Sequence, residues 1–285
     1  MKLYLALIAC LLAPTFCLAQ EISLLTWNVF MLPKPIKFSR QNERTRVIAS
    51  QLSKVNHDVI VLQEAFFKKF EYHVEDTLRH THPYVYKLGK GATRWHAFDS
   101  GVMVLSKYPM RIVDEIHFNR CSGFDCFAAK GAALLEISLE GKIFQFVATH
   151  MQAGKANKKA VVRSAQLAQI KQMMNRHKSL DVPQLLVGDL NIDGLKKNEF
   201  ESSLRKLGMS SPTLSGQITS SKATNTRCFG QKNPRSKTRM DHVWAKAEDH
   251  LRLGMDLRVT PIKGRVNNKV CDLSDHLPLT MRMTL

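Results

Sequence analysis

The chain has 285 residues, 44% hydrophobic and 23% charged, with 42 Lys and Arg against 24 Asp and Glu and a formal net charge of +18. This balance excludes a disordered or low-complexity chain and suits one large domain. The positive charge favours phosphate-rich partners, whether anionic membrane surfaces or nucleic acids, and does not choose between them.

Met1-Lys2 precedes an apolar run, Leu3 to Leu18, and then Ala19. The run is shorter than the roughly 20 residues a membrane-crossing helix needs, so it reads as a signal peptide cut near Ala19. Residues 1–19 are expected to leave and residues 20–285 to form one exported domain, extracellular or periplasmic. Cys10 and Cys17 go with the leader. Cys121, Cys126, Cys228 and Cys271 remain in an oxidising compartment, where disulfides are the expected state. Three pairings are possible; one closes a small loop between Cys121 and Cys126 and leaves Cys228 with Cys271. No Cys-x-x-Cys pair exists to suggest zinc.

In chain order, apolar β-branched runs at 22–30, 58–62, 101–105, 132–139, 143–148, 184–187, 241–245 and 277–285 predict strands. Val47, Ile48, Gln51, Leu52 and Val55 share a helical face. Asn198 to Glu201 predicts a capped start for a second helix, carrying Phe200, Leu204 and Leu207 and ending before Gly208. Glu140-Gly141 joins two strands closely enough for an antiparallel hairpin. The expected class is therefore α/β, with two packed mixed sheets and outer helices.

Chemically capable residues collect at the strand ends. Asn28, Glu64, His150, Asp189 and Asn191 each follow an apolar run, and Asp275-His276 precedes the last one; loops at sheet ends are where a rigid scaffold presents reactive groups. Each alone has a structural explanation, but together they combine oxygen donors for a hard cation with histidines for proton transfer. Phosphodiester hydrolysis needs both. In this reading Glu64 and Asn28 hold the cation, and His150 and Asn191 donate to the non-bridging oxygens. His276 is the base, oriented by Asp241, and Asp189 supports the attacking water or Asn191.

At these positions the chain resembles the DNase I-like endonuclease/exonuclease/phosphatase superfamily. The resemblance rests on Thr26-Trp27-Asn28, Leu62-Gln63-Glu64, Thr149-His150, Gly188-Asp189-Leu190-Asn191, Asp241-His242-Val243 and Ser274-Asp275-His276, in order along the chain. Within that superfamily three stretches resemble bacterial sphingomyelinases: residues 25–33, the Cys121 to Cys126 segment followed by Ala129-Lys130-Gly131, and residues 149–153. The resemblance implies a four-layer sandwich, Mg2+ with Mn2+ or Co2+ as substitutes, and hydrolysis of membrane sphingomyelin to ceramide and phosphocholine by a monomer. It implies the same roles for Asn28, Glu64, His150, Asp189, Asn191 and His276, places Asp275 among the catalytic residues, and makes Lys130 a further phosphate contact. Asp99 falls where the group has a second acidic metal position.

One departure stands out. Membrane-inserting sphingomyelinases carry an aromatic-tipped hairpin shortly before the last Asp-His, whereas residues 260–270 here are basic and lack aromatics. Lys263, Arg265 and Lys269 are therefore expected to attract anionic lipid, and Trp95 and Phe98 are candidates for an apolar contact. The alternative readings are a nuclease of the same fold, a phospholipase C that accepts phosphatidylcholine, and a non-catalytic surface-binding protein.

Overall fold

The apolar run after residue 20 becomes β1 (Glu21–Asn28), buried at every position but the first, as a strand covered on both faces requires. It lies inside a six-stranded mixed sheet with β2 (Val59–Gln63), β3 (Tyr84–Lys87), β4 (Met103–Ser106), β12 (Gly254–Val259) and β15 (Leu279–Thr284), in the order β12-β15-β1-β2-β4-β3. A five-stranded sheet contains β5 (Met110–His117), β6 (Gly131–Leu139), β7 (Lys142–His150), β8 (Gln184–Asp189) and β11 (Asp241–Lys246), in the order β11-β8-β7-β6-β5. Two short pairs, β9 (Ser220–Ser221) with β10 (Lys237–Thr238) and β13 (Lys263–Val266) with β14 (Lys269–Asp272), lie outside both sheets. This computed structural model describes residues 21–33, 36, 39–89, 96–214, 218–221, 237–246 and 254–284. The expected leader, Trp95 and Cys228, and hence the Cys228–Cys271 pairing, lie outside them.

The sheets pack face to face: Ile22, Leu24 and Val61 of one meet Leu135, Phe146 and Val187 of the other. Full burial of each such side chain contributes about 1.5–3 kcal/mol. The outer face of the first sheet, with Leu25, Trp27 and Ile60, is covered by α1 (Gln41–Leu52) and α2 (Lys68–Leu78). That of the second, with Leu134, Val147 and Trp244, is covered by α3 (Asn157–Arg176) and α4 (Lys197–Leu207). The layers are helix, sheet, sheet, helix, the four-layer α/β sandwich that the sequence implied. Among the described residues no helix is long and apolar enough to cross a membrane.

The β6–β7 hairpin turns at Glu140 (φ 47°) and Gly141 (φ 86°), the pair of positive φ values a tight two-residue turn demands. The basic stretch before Asp275 is also a hairpin, β13–β14, turned by Asn267 (φ 46°) and Asn268 (φ 57°). Asparagine tolerates that region better than most residues. One expected boundary moves: α4 begins at Lys197 with no side-chain cap, so Asn198 lies inside its first turn.

Candidate active site

Strand register does most of the assembly. β7 and β8 run parallel with His150 opposite Asp189, and antiparallel β11 sets Asp241 on the other side of Asp189. In the first sheet β1 and β2 run parallel and end together at Asn28 and Gln63, with Glu64 next. β15 is antiparallel to β1, so Asp275 and His276 return to that same end. Trp27 Nε1 donates to the His276 carbonyl at 2.9 Å, and Ser274 Oγ to the Asn28 carbonyl at 2.6 Å. Asn28 Nδ2 donates to Asp189 Oδ2 at 3.0 Å and so ties one sheet to the other.

The backbone is unusual at these strand ends. Glu64 (φ 55°) and Asn191 (φ 53°) occupy the left-handed region, a conformation that costs free energy and clusters at functional sites. Gly188 (φ 138°) lies where an added Cβ would come 2.1 Å from the Thr149 carbonyl oxygen, so only glycine lets β8 approach β7 beneath His150.

His276 Nδ1 lies 2.8 Å from Asp241 Oδ2, and its Nε2 is 3.8 Å from Asp189 Oδ2. Burial works against charge on this ring, but Asp241 and Asp189 outweigh it and raise the His276 pKa well above the ordinary imidazole value. Burial also opposes charge on Asp189, yet His276 and His150 hold its pKa below the usual carboxylate range. With Nδ1 held by Asp241, Nε2 is the nitrogen left to exchange a proton.

His150 Nε2 sits 3.3 Å from Lys130 Nζ and 3.7 Å from Asp189 Oδ2. Burial, then the Lys130 charge, lowers its pKa to about 4, so the ring is neutral near pH 7. Its Nδ1 is buried without a hydrogen-bond partner. Lys130 is buried, donates to the Met151 carbonyl at 2.9 Å and pairs with Asp125 Oδ2 at 3.2 Å, so it is no solvated loop lysine. The Asn191 backbone N–H donates to Asp189 Oδ1 at 2.9 Å and its Nδ2 to the Met151 carbonyl at 3.1 Å. One amide hydrogen of Asn191 is left for a ligand.

Glu64 supplies the test for a cation. Burial, and then the Asp275 charge, lifts its pKa to about 7, and its buried Oε2 has no hydrogen-bond partner. A buried carboxylate with an orphaned oxygen, facing another carboxylate, is stabilised by a hard divalent cation. Asn28 Oδ1 accepts from the Phe30 N–H at 3.0 Å and keeps a second lone pair, so Glu64 and Asn28 fit such an ion. Distances also admit one among Asp189, Asp241 and His276, whose donor atoms lie within 4.8 Å of one another, but the Asp241–His276 hydrogen bond already occupies that trio. Asp99 is engaged elsewhere, with Lys68 Nζ at 2.5 Å and the Gly101 N–H at 3.0 Å.

Two contributors escape sequence reading. Arg44 of α1 is fully buried and donates to the carbonyls of Phe30 at 2.7 Å, Leu273 at 2.6 Å and Val29, clamping the loops after β1 and before Asp275 together. Burial lowers its pKa to about 10, while Asp275 and Glu64 hold it up. The overlooked signal is a charge one turn before Ile48 on the apolar face of the helix. Asp125 is the other: its Oδ2 accepts the Ala153 N–H at 2.6 Å and Gln152 Nε2 at 2.8 Å. That binds the Cys121–Cys126 disulfide loop to the segment after His150. A pocket of about 190 Å³ opens beside Glu64 and His150, walled by Phe66, Phe98, Phe124 and Phe127.

This gathering of metal-type, phosphate-type and proton-transfer residues at one end of two stacked sheets defines a class. Residues 25–276 match the endonuclease/exonuclease/phosphatase family, and the chain belongs to it. Among its relatives, Sphingomyelinase C of Leptospira interrogans is 33% identical over 218 residues, which cover 68% of this chain and 38% of that protein. Sphingomyelinase C 2 of the same species, from serogroup Icterohaemorrhagiae, is 31% identical over 69% of this chain and 34% of its own. This chain thus spans little more than a third of those proteins. Among solved structures, sphingomyelinase C from Streptomyces griseocarneus superposes with a TM-score of 0.74 at 24% identity, covering 93% of this chain and 99% of that one. A Staphylococcus aureus beta toxin mutant with bound magnesium ions gives 0.71 at 22% identity, over 92% and 99%. At such identities the structural likeness shows the fold.

Proposed function

We propose that this protein is an exported, magnesium-dependent phosphodiesterase that hydrolyses sphingomyelin to ceramide and phosphocholine. The observation that carries the reading is the Glu64 carboxylate, whose buried Oε2 has no hydrogen-bond partner, set within one cluster with the Asp241–His276 pair. Relatives named sphingomyelinase C support the substrate, and the magnesium-containing neighbour supports the ion.

When bound by Glu64 and Asn28, the ion supplies charge neutralisation to the phosphoryl oxygens. The protein's own groups do the rest. His276 Nε2 takes the proton of the attacking water while Asp241 holds the ring through Nδ1, and Asp189, 3.8 Å from Nε2, positions that water; as the new P–O bond forms, the P–O bond to the ceramide oxygen breaks and that oxygen takes a proton from solvent. Asn191 Nδ2 and the side chains of His150 and Lys130 face the charge that grows on the phosphoryl group. His150, neutral with its pKa near 4, contributes as a dipole and Lys130 as a charge. A water nucleophile fits because, among the described residues, no serine hydroxyl or cysteine thiol bonds to a ring nitrogen of His150 or His276, and Ser274 Oγ is engaged by the Asn28 carbonyl. The phenylalanine-walled pocket beside the reacting centre favours a lipid over a nuclease substrate, whose polyanionic strand would be met by basic walls.

Purified protein offered sphingomyelin, phosphatidylcholine and plasmid DNA, with Mg2+ or a chelator, tests the reading. Phosphocholine should be released from sphingomyelin, abolished by chelation and reduced by about 10²–10⁴ in His276→Ala. Cleavage of DNA with no release of phosphocholine would overturn it.

A further inference from the structure

Phe124 is 88% exposed and Phe127 55% exposed, an arrangement that water disfavours for two neighbouring phenyl rings, here 6.3 Å apart. Both belong to the one-turn segment Gly123–Phe127: Phe124 lies inside the Cys121–Cys126 disulfide loop and Phe127 directly follows Cys126. Together with Ile36, 53% exposed, they line the pocket that also holds Glu64 and His150. Exposed apolar residues thus ring the entrance to the reacting centre.

The loop that carries them is anchored. Besides the disulfide, Asp125 accepts from the Ala153 N–H and pairs with Lys130, and the Ser122 N–H donates to Gln152 Oε1 at 2.7 Å. Lys159, in the first turn of α3, donates to the Ser122 carbonyl, and Lys155 and Lys158 stand exposed on the same stretch. An apolar tip on a rigid base, backed by lysines, is the distribution of an element that lies in a lipid interface: rings at the acyl boundary, ammonium groups among the phosphates.

We infer that the Cys121–Cys126 loop, with Phe124 within it, Phe127 directly after it, and Lys155, Lys158 and Lys159 behind it, is the element that seats the protein in a bilayer. The inference rests on the proposed phosphodiesterase reading for one step: a phosphodiester held at headgroup depth reaches buried His150 and Glu64 only if the pocket's rim enters the interface. The basic β13–β14 hairpin, expected to dock the protein, contributes no residue to this pocket. It packs instead against α1, where Gly264 abuts Val47.

Sphingomyelin-free vesicles of phosphatidylcholine and phosphatidylserine separate docking from catalysis. Partitioning of the full chain, measured by co-sedimentation, should fall about tenfold or more in Phe124→Ser/Phe127→Ser and much less in Lys263→Gln/Arg265→Gln/Lys269→Gln; thermal unfolding checks that both variants fold. A Phe124→Trp variant should keep binding, shift its emission to the blue and be quenched by acyl-brominated lipid. Unchanged partitioning of the double serine variant, unmoved emission from Trp at position 124, or failure of the unaltered chain to bind these vesicles would each overturn the inference. Binding as expected, with no phosphocholine released from sphingomyelin, would leave the docking loop standing and sink the substrate reading alone.

Discussion

His276 and Asp241 hold each other in a place where neither is solvated, and this sets a pH dependence. The His276 pKa is raised, and a base works only when neutral, so kcat should fall as pH drops through that raised value. Replacing Asp241 by Asn removes the largest contribution that raises the pKa. The acid limb of the kcat profile should then move to lower pH, while the plateau drops by about 10²–10⁴ because the ring loses its orienting partner. A profile measured on both proteins checks the shift and the drop together; an acid limb in Asp241→Asn at the unaltered position would assign the titration to another group. His150, neutral near pH 7, should show no such limb until far more acidic solution.

At the scale of elements, the strands that carry the site were readable and the helices that clamp it were less so. β1, β2, β7 and β8 announce themselves because burial on both faces along most of their length gives largely apolar runs, and the residues ending them gave Asn28, Glu64, His150 and Asp189. α3 did not announce itself: it turns Arg163 and Gln166 inward, where they bond to the Gln152 carbonyl at 3.1 Å and the Arg120 carbonyl at 3.1 Å. These inward polar residues blur the helical period that would have marked it. Arg44 hides in α1 for the same reason. Changing Arg44 to Leu leaves the buried carbonyls of Val29 and Leu273 without their donor, each costing about 1–3 kcal/mol, and leaves that of Phe30 with only the 3.4 Å bond from Ser39 Oγ. The denaturant midpoint should fall by the equivalent of about 3 kcal/mol or more. Activity should fall with it at temperatures where the variant is still folded, because the same guanidinium joins the loops carrying Asn28 and Asp275.

For the whole molecule, the +18 charge acts as a field rather than as a set of contacts. Vesicle binding should weaken as salt rises, more steeply for membranes richer in phosphatidylserine. The exposed Lys263, Arg265 and Lys269 should each contribute about 1 kcal/mol or less, since they lie on the hairpin over α1. Binding that is indifferent to salt would mean that the apolar loop does the work unaided. The site also has a temporal side. Trp27 and Ser274 join residues 249 and 246 positions away, and the base comes into place only once β15 zips against β1. On the proposed reading, a nascent chain that has not yet exposed residues 276–284 therefore holds an unfinished site and should spare the membranes of the cell that makes it.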